Sequence, residues 1–380
     1  MLQVCRLRAR RRQTILAITT QIEEFMSSPE KPADHSDTIV YSPQTPAAKS
    51  PIQEGSAETA AWLEGHNISE VECLVPDMTG NARGKFIPAH QFLNRTDLKL
   101  PESIMVQTVT GEYTDEHWEF VEPTDTDMLL VPDPKSLRKV PWAREPTAQI
   151  IADCYKASGE PHPLASRNVL KNILSLYQQA GLRAEVAPEV EFYLVHKNTD
   201  PDYELMPPKG RSGRREVARM SFSIDAVAEF EDFVEDMYDF ADEQALSVDT
   251  LIHENGAAQL EINFNHGDPL DMADQVFVFK RTVRETAQKH GMYATFMAKP
   301  MQKEPGSALH IHQSILSVQS GKGSTLLCQN CGFPYCKYAE GLWLHVDDPS
   351  PFQEGAFCIH AACPLGIFSV SPHAGPFISH

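Results

Sequence analysis

Three stretches of two-residue alternation constrain this chain more than any other feature. Residues 183–195 read R-A-E-V-A-P-E-V-E-F-Y-L-V, residues 253–265 read H-E-N-G-A-A-Q-L-E-I-N-F-N, and residues 306–314 read G-S-A-L-H-I-H-Q-S. Successive side chains of a strand point to opposite faces. The first stretch therefore puts Val190, Phe192 and Leu194 on one face and Glu189 and Glu191 on the other. The second sends Leu260, Ile262 and Phe264 one way and Gln259, Glu261 and Asn263 the other, with Glu254 just upstream beside Gly256. The third places His310, His312 and Ser314 together.

Taken singly, each stretch is an ordinary amphipathic strand with a solvated polar face. Taken jointly, the residue choice is unusual. Exposed strand faces normally mix Thr, Lys and Arg with Glu, whereas these hold four carboxylates, two imidazoles and no cation. If the strands are neighbours, the carboxylates repel one another or bind protons, and a divalent cation removes that conflict. Carboxylate oxygens with one imidazole suit Mg²⁺ or Mn²⁺. Such sites typically clamp a nucleotide's phosphates during phosphoryl transfer. No Walker-type glycine-rich loop is present, which argues against a P-loop enzyme.

Composition sets outer bounds. A chain of 380 residues, 42% apolar and 22% charged, is of globular type. Its length suits roughly two to three domains. With 33 Lys+Arg against 52 Asp+Glu, its formal charge of −19 disfavours nucleic acid and anionic membrane surfaces as partners. No run approaches the ~18 apolar residues of a membrane span. Eight cysteines, three of them before residue 328, are too dilute for a disulfide scaffold and point to a reducing cytoplasm.

Residues 1–12 carry Arg6, Arg8, Arg10, Arg11 and Arg12, but the apolar core that a secretory signal needs is lacking, and Met26 is an alternative start. Pro29, Pro32, Pro43, Pro46 and Pro51 then punctuate a polar stretch, so residues 1–55 read as a disordered leader. Residues 56–150 read as a small β-rich domain. It opens with a helix capped near Ser56, has a hairpin turn at residues 77–81, and has strands at residues 104–109 and 128–131. Residues 151–316 alternate strands and helices. Ser166 is expected to cap a helix with Leu170, Ile173, Leu174 and Tyr177 on one face. Residues 229–243 hold eight acids and no base, yet Phe230, Phe233, Val234, Met237 and Phe240 recur at helical spacing, so those acids form a solvated face. A further amphipathic helix spans residues 271–290, stopped by Gly291.

The E-x-E strand with Glu189 and Glu191, the H-E-N-G-A-A-Q-L-E stretch with Glu254 and Glu261, and the F-M-A-K-P…G-S-A-L-H-I-H-Q-S run from Phe296 to Ser314 resemble the glutamine synthetase family in order and spacing. The resemblance covers about residues 57–316. The connecting text, G-R-S-G-R-R at 210–215 and S-F-S-I-D at 221–225 included, is most similar to the γ-glutamyl-polyamine (putrescine) ligase branch. The resemblance implies an α+β fold: an N-terminal β-grasp domain over residues 56–150 and a catalytic domain with a curved antiparallel sheet over residues 151–316. It implies Glu191, Glu254 and Glu261 as ligands of one cation, and Glu189 and His310 as ligands of a second. It also implies Gly306 at the glutamate and His312 and Ser314 at the nucleotide. The implied reaction joins ammonia or a primary amine to the γ-carboxylate of glutamate through a γ-glutamyl phosphate made from ATP. The implied assembly is a ring-shaped homo-oligomer.

After Ser314 the resemblance stops. The family's arginine-rich segment is expected there, but the last arginine is Arg284, and residues 317–380 hold only Lys322 and Lys337. Residues 110–118 stand where the family's small-domain motif belongs, and the amine's base is left unassigned. Residues 317–380 read as an atypical tail, foreign or out of frame, with Cys328, Cys331, Cys336 and His345 as an alternative zinc set. A second reading is therefore a catalytically deficient homologue that still binds metal and nucleotide.

Overall fold

The computed structural model describes residues 56–317, apart from 96, 114, 122, 123, 199, 201 and 218, and the backbone of residues 342–347, 358–363 and 366–369. The expected leader and the cysteine side chains of the tail lie outside the described residues.

A first sheet contains β1 (Glu70–Pro76), β2 (Ala82–Pro88), β3 (Lys99–Pro101), β4 (Asp127–Pro132), β5 (Arg138–Lys139) and β6 (Thr147–Tyr155). The order is β2-β1-β6-β4-β3, with β5 beside β6, and β1 and β6 run parallel. The β1–β2 hairpin closes as the sequence predicts. Asp77 Oδ1 accepts the backbone N–H groups of Thr79 (2.9 Å) and Asn81 (2.8 Å), and Gly80 takes the left-handed φ of +74°.

β6 is the seam of the molecule. Ala148, Ile150, Ala152 and Cys154 point into one apolar core with Val71, Cys73, Val75, Ile87, Met128 and Leu130. From its other face, Ile151 joins the second core, while Gln149 and Asp153 enter buried polar networks. A strand used on both faces reads as a nearly continuous buried run. The buried guanidinium of Arg167 locks this seam. It donates to Asp274 (2.9 and 2.7 Å), to Asp133 (2.8 Å) and to Asp153.

The second sheet contains β7 (Leu182–His196), β8 (Val248–His253), β9 (Gln259–Phe264), β10 (Met292–Thr295), β11 (Leu309–Ser317), β12 (Leu342–Asp347), β13 (Cys358–Cys363) and β14 (Gly366–Ser369). Its order is β14-β13-β12-β11-β7-β9-β8, with β10 on β7, and every pairing in it is antiparallel. Val190, Phe192 and Leu194 of β7 and Leu260, Ile262 and Phe264 of β9 form one core with two helices. The helix Glu231–Glu243 contributes Phe233, Met237 and Ala241, and the helix Pro269–Lys289 contributes Phe279, Val283 and Ala287. The latter helix begins two residues earlier than expected, because Asp268 caps it through Leu270 N–H (3.0 Å) and Asp271 N–H (3.2 Å) with Pro269 at its first position.

Two local expectations are corrected. Residues 104–109 are not a strand: Glu102–Val106 is a 3₁₀ helix following Pro101. The Asp125 carboxylate accepts Ser103 N–H (3.1 Å) and Ser103 Oγ–H (3.0 Å), which tightens the turn and buries Met105. Ser166 does not cap its helix. Ala165 holds the cap position with no side-chain bond, and the helix Ser166–Gln179 starts at Ser166 itself. Leu170, Leu174 and Tyr177 are half-buried as expected, but Ile173 is 44% exposed. The helix docks chiefly through Arg167 and Asn168, whose amide donates to Cys154 O (2.7 Å) and His162 O (3.1 Å).

Candidate metal centre

β7 lies between β11 and β9, so the three alternating stretches are adjacent strands. Glu189 stands opposite His310 on one side and Asn263 on the other. Two residues on, Glu191 stands opposite Glu261. The apolar partners of all these residues point into the helix-covered core, so the polar set shares the other face.

Three side chains converge most closely. One ligand atom each from Glu189, Glu261 and His310 lies within 4.8 Å of the others. This group joins Glu261, assigned by the resemblance to one cation, with Glu189 and His310, assigned to the other. Both imidazoles of β11 reach Glu189: His312 Nε2 lies 2.9 Å from Oε1, and His310 Nδ1 lies 3.4 Å from Oε2. Hydrogen bonds from His310 and then His312 pull the Glu189 carboxyl down to about 2. The same contact with Glu189 raises the His310 imidazole.

Glu191 and Glu254 lie outside the three-residue group. Glu191 is 8% exposed and accepts Gln259 Nε2–H (2.8 Å) and Ala308 N–H (3.1 Å). Burial, and then the charges of Glu254 and Glu261, push its carboxyl up to about 7 against the opposing Ala308 bond. Burial also raises Glu261, with Glu189 and Glu254 adding to the effect, although Asn263 donates to it at 3.0 Å. Two carboxyls held above their ordinary range by burial and by other carboxylates are the condition that a divalent cation relieves. Among the described residues, no Lys or Arg forms an ion pair with Glu189, Glu191, Glu254 or Glu261. Carboxylates plus one imidazole form the donor set that fits Mg²⁺ or Mn²⁺.

The remaining expected residues surround this face. Gly306 O accepts Gln259 Nε2–H at 3.0 Å, and a Cβ at Gly306 would stand 2.9 Å from Ala298 O, so the chain passes there only as glycine. Ser314 lies two residues beyond His312 on β11, opposite Glu185. His312, expected at the nucleotide, is engaged with Glu189.

Gln259 is a hub that the sequence did not reveal. Its amide donates to Glu191 and Gly306 O, and its carbonyl accepts Gly256 N–H (2.9 Å). Alternation puts it on the polar face, but nothing local to the sequence marks its partner 68 residues away.

Some two thirds of the chain has solved counterparts. A structure of apo GmaS superposes with a TM-score of 0.58 at 24% identity, covering 70% of this chain and 58% of that one. A structure described as a novel glutamine synthase homolog gives 0.58 at 19%, covering 67% and 57%. These likenesses define an α+β fold with a curved sheet. Residues 163–330 match the family described as glutamine synthetase, catalytic domain. The chain belongs to the glutamine synthetase family. It is similar to gamma-glutamylputrescine synthetase PuuA of Escherichia coli (strain K12), at 33% identity over 285 residues, covering 72% of this chain and 59% of the relative. It is also similar to glutamate–isopropylamine ligase of a Pseudomonas species (31%, covering 67% and 56%) and to glutamine synthetase of Pyrococcus horikoshii (30%, covering 66% and 52%). The chain thus spans between half and three-fifths of the length of these relatives. No helix among the described residues is long and apolar enough to cross a membrane.

Proposed function

We propose that this chain is a glutamate–amine ligase of the glutamine synthetase type, nearest in chemistry to the γ-glutamyl-polyamine branch. The reading is carried by the convergence of Glu189, Glu261 and His310 within 4.8 Å on one sheet face, beside the opposed pair Glu191 and Glu261. In this reading Glu191, Glu254 and Glu261 hold one Mg²⁺ or Mn²⁺, and Glu189 and His310 hold a second. His312 and Ser314 lie toward ATP and Gly306 toward glutamate. When bound, the cations neutralise charge on the transferring phosphoryl group.

The chain's own residues prepare that face. His310 and His312 keep Glu189 ionised. Gln259 and Ala308 N–H fix one oxygen of Glu191. The reaction transfers the γ-phosphoryl group of ATP to the γ-carboxylate of glutamate. The nitrogen of ammonia or a primary amine then attacks the acyl carbon, phosphate leaves with the C–O electron pair, and the amine loses a proton. The proposal includes a β-grasp domain over residues 56–150, a catalytic domain over 151–316, an atypical tail over 317–380 and a ring-shaped homo-oligomer. It places the chain in a reducing cytoplasm, in keeping with the buried free thiols of Cys73 and Cys154.

A second reading, binding of metal and nucleotide without turnover, draws support from one feature: residues 285–380 hold no arginine where the resemblance leads one to expect several. Planar bidentate recognition of phosphate and carboxylate depends on guanidinium groups. Phosphate release from ATP in the presence of glutamate and Mg²⁺ or Mn²⁺, with ammonia, isopropylamine or putrescine added in turn, separates the two. Amine-dependent release supports the ligase. Nucleotide binding with no release above background leaves the second reading.

A further inference from the structure

The loop of residues 253–259, between β8 and β9, carries Glu254 and leads directly into Gln259 and Glu261. Its shape is unusual: Ala258 is a fully buried, non-glycine residue at φ +58°, in the left-handed region that L side chains rarely adopt. Such a conformation persists only where surrounding contacts over-determine it.

Glu304 accepts the Ala257 N–H (3.2 Å) and Leu194 N–H donates to Ala258 O (3.0 Å), but one carboxylate makes contacts at both ends of the loop. Glu216 Oε2 accepts the Ala258 N–H at 2.8 Å and lies 3.0 Å from His253 Nε2. His253 is fully buried, and its Nδ1 lies 2.7 Å from the backbone carbonyl of Glu254. A carbonyl only accepts, so Nδ1 carries a proton and donates it. Glu216 thus reaches the main chain of Glu254 through the ring, and the strained turn directly. The segment following Glu216 runs along the same loop, with Phe222 N–H donating to His253 O (2.8 Å) and Ser221 Oγ–H donating to Asn255 Oδ1 (2.5 Å).

Glu216 is costly to keep where it is. Its side chain is 14% exposed, and Oε1 is buried with no hydrogen-bond partner among the described residues. A buried carboxylate oxygen left unpaired requires an explanation. Loop closure supplies one.

We propose that Glu216 is a positioning residue of the metal centre: it holds the 253–259 loop so that Glu254 stands at a fixed place beside Glu191 and Glu261. This rests on the reading of Glu254 as a metal ligand. Glu216 touches none of the proposed ligands' carboxylates in the hydrogen-bond network; it acts through His253 and Ala258.

The test is Mn²⁺ titration of the full chain by calorimetry and by the electron paramagnetic resonance of free Mn²⁺, with thermal melting in parallel. Glu216→Ala removes the tether, whereas Glu216→Gln removes only the charge and keeps an acceptor for Ala258 N–H. Residues that orient ligands without binding metal are worth about 10- to 100-fold in metal affinity. Glu216→Ala is expected to lose that much at one site, while Glu216→Gln retains most of the affinity and Glu229→Gln, at the surface, retains all of it. Should Glu216→Ala fail to fold, Glu216→Asp, which withdraws the carboxylate by one methylene, is read with the same expected loss. Wild-type affinity in the Ala or Asp variant overturns the proposal, as does an equal loss in Glu216→Gln, which would make charge and not geometry the cause. No Mn²⁺ binding by the wild type removes both this proposal and the metal-centre reading. Binding by the wild type with no effect of Glu216 removes this proposal alone.

Discussion

Glu191 and Glu261 stand directly opposite one another in the antiparallel β7–β9 ladder, both almost entirely buried. Like charges facing across a ladder destabilise it. Here burial, with Glu254 and Glu261 nearby, pushes Glu191 up to about 7, so the pair stores a repulsion that a cation or a proton relieves.

The first prediction concerns pH in the absence of metal. The unfolded Glu191 releases its proton near the ordinary value of 4.5, whereas the folded one holds it to about 7. The folded state binds more protons across that interval, so stability falls as pH rises through it and reaches its low plateau above about 7. Urea midpoints of the metal-free protein between pH 5 and 8 should fall relative to those of Glu191→Gln. Added Mn²⁺ should raise the midpoint more at pH 8 than at pH 5.

A second prediction concerns Glu189, whose carboxyl is held at about 2 by His310 and His312. A depressed carboxyl stabilises the fold above about 4.5, and that contribution is lost as pH falls toward 2. In His312→Ala, carbon-detected NMR titration should show the Glu189 carboxyl moved upward, with acid unfolding beginning at a higher pH.

Arg167 binds Asp133, Asp153 and Asp274 at once with its side chain 5% exposed. Replacing it by Met leaves three acids facing each other at the seam. Removing one partner of a buried ion-pair network costs about 3–5 kcal/mol, to be read as a lower urea midpoint. A midpoint within error of wild type would contradict the assignment of this network as the lock between β6 and the helix Pro269–Lys289.

At Gly256 a Cβ would stand 1.9 Å from Tyr193 Oη and 2.5 Å from its Cζ. Tyr193 is fully buried and donates to Pro305 O at 2.7 Å, so the ring is not free to yield. Gly256→Ala should cost about 1–3 kcal/mol by overpacking and weaken Mn²⁺ binding, because the displaced backbone carries Glu254 and the Gly256 N–H that holds Gln259.

The strands of the site were legible because period-two alternation is a local signal. It placed Glu189, Glu191, Glu261, His310 and His312 on one face, and the ladder sets β11, β7 and β9 side by side. What escaped depends on distant partners. Gln259 finds Glu191 across 68 residues, and Glu216 finds Ala258 across 42. Residues 104–109 look β-prone, yet the carboxylate of Asp125, 22 residues from Ser103, turns their start into a 3₁₀ helix. Arg167 hides among helix-surface residues because the three acids that bury it lie on other elements.

Mn²⁺ titration of the full chain, with Glu189→Gln, Glu261→Gln and His310→Ala made singly and together, tests the account most directly. The wild type should bind two Mn²⁺ ions. Each single variant should bind at least about tenfold more weakly, since even groups that only orient ligands are worth about 10- to 100-fold, and the triple variant should leave at most one weak site. Wild-type stoichiometry and affinity in the triple variant would show that these side chains share a sheet face without sharing an ion.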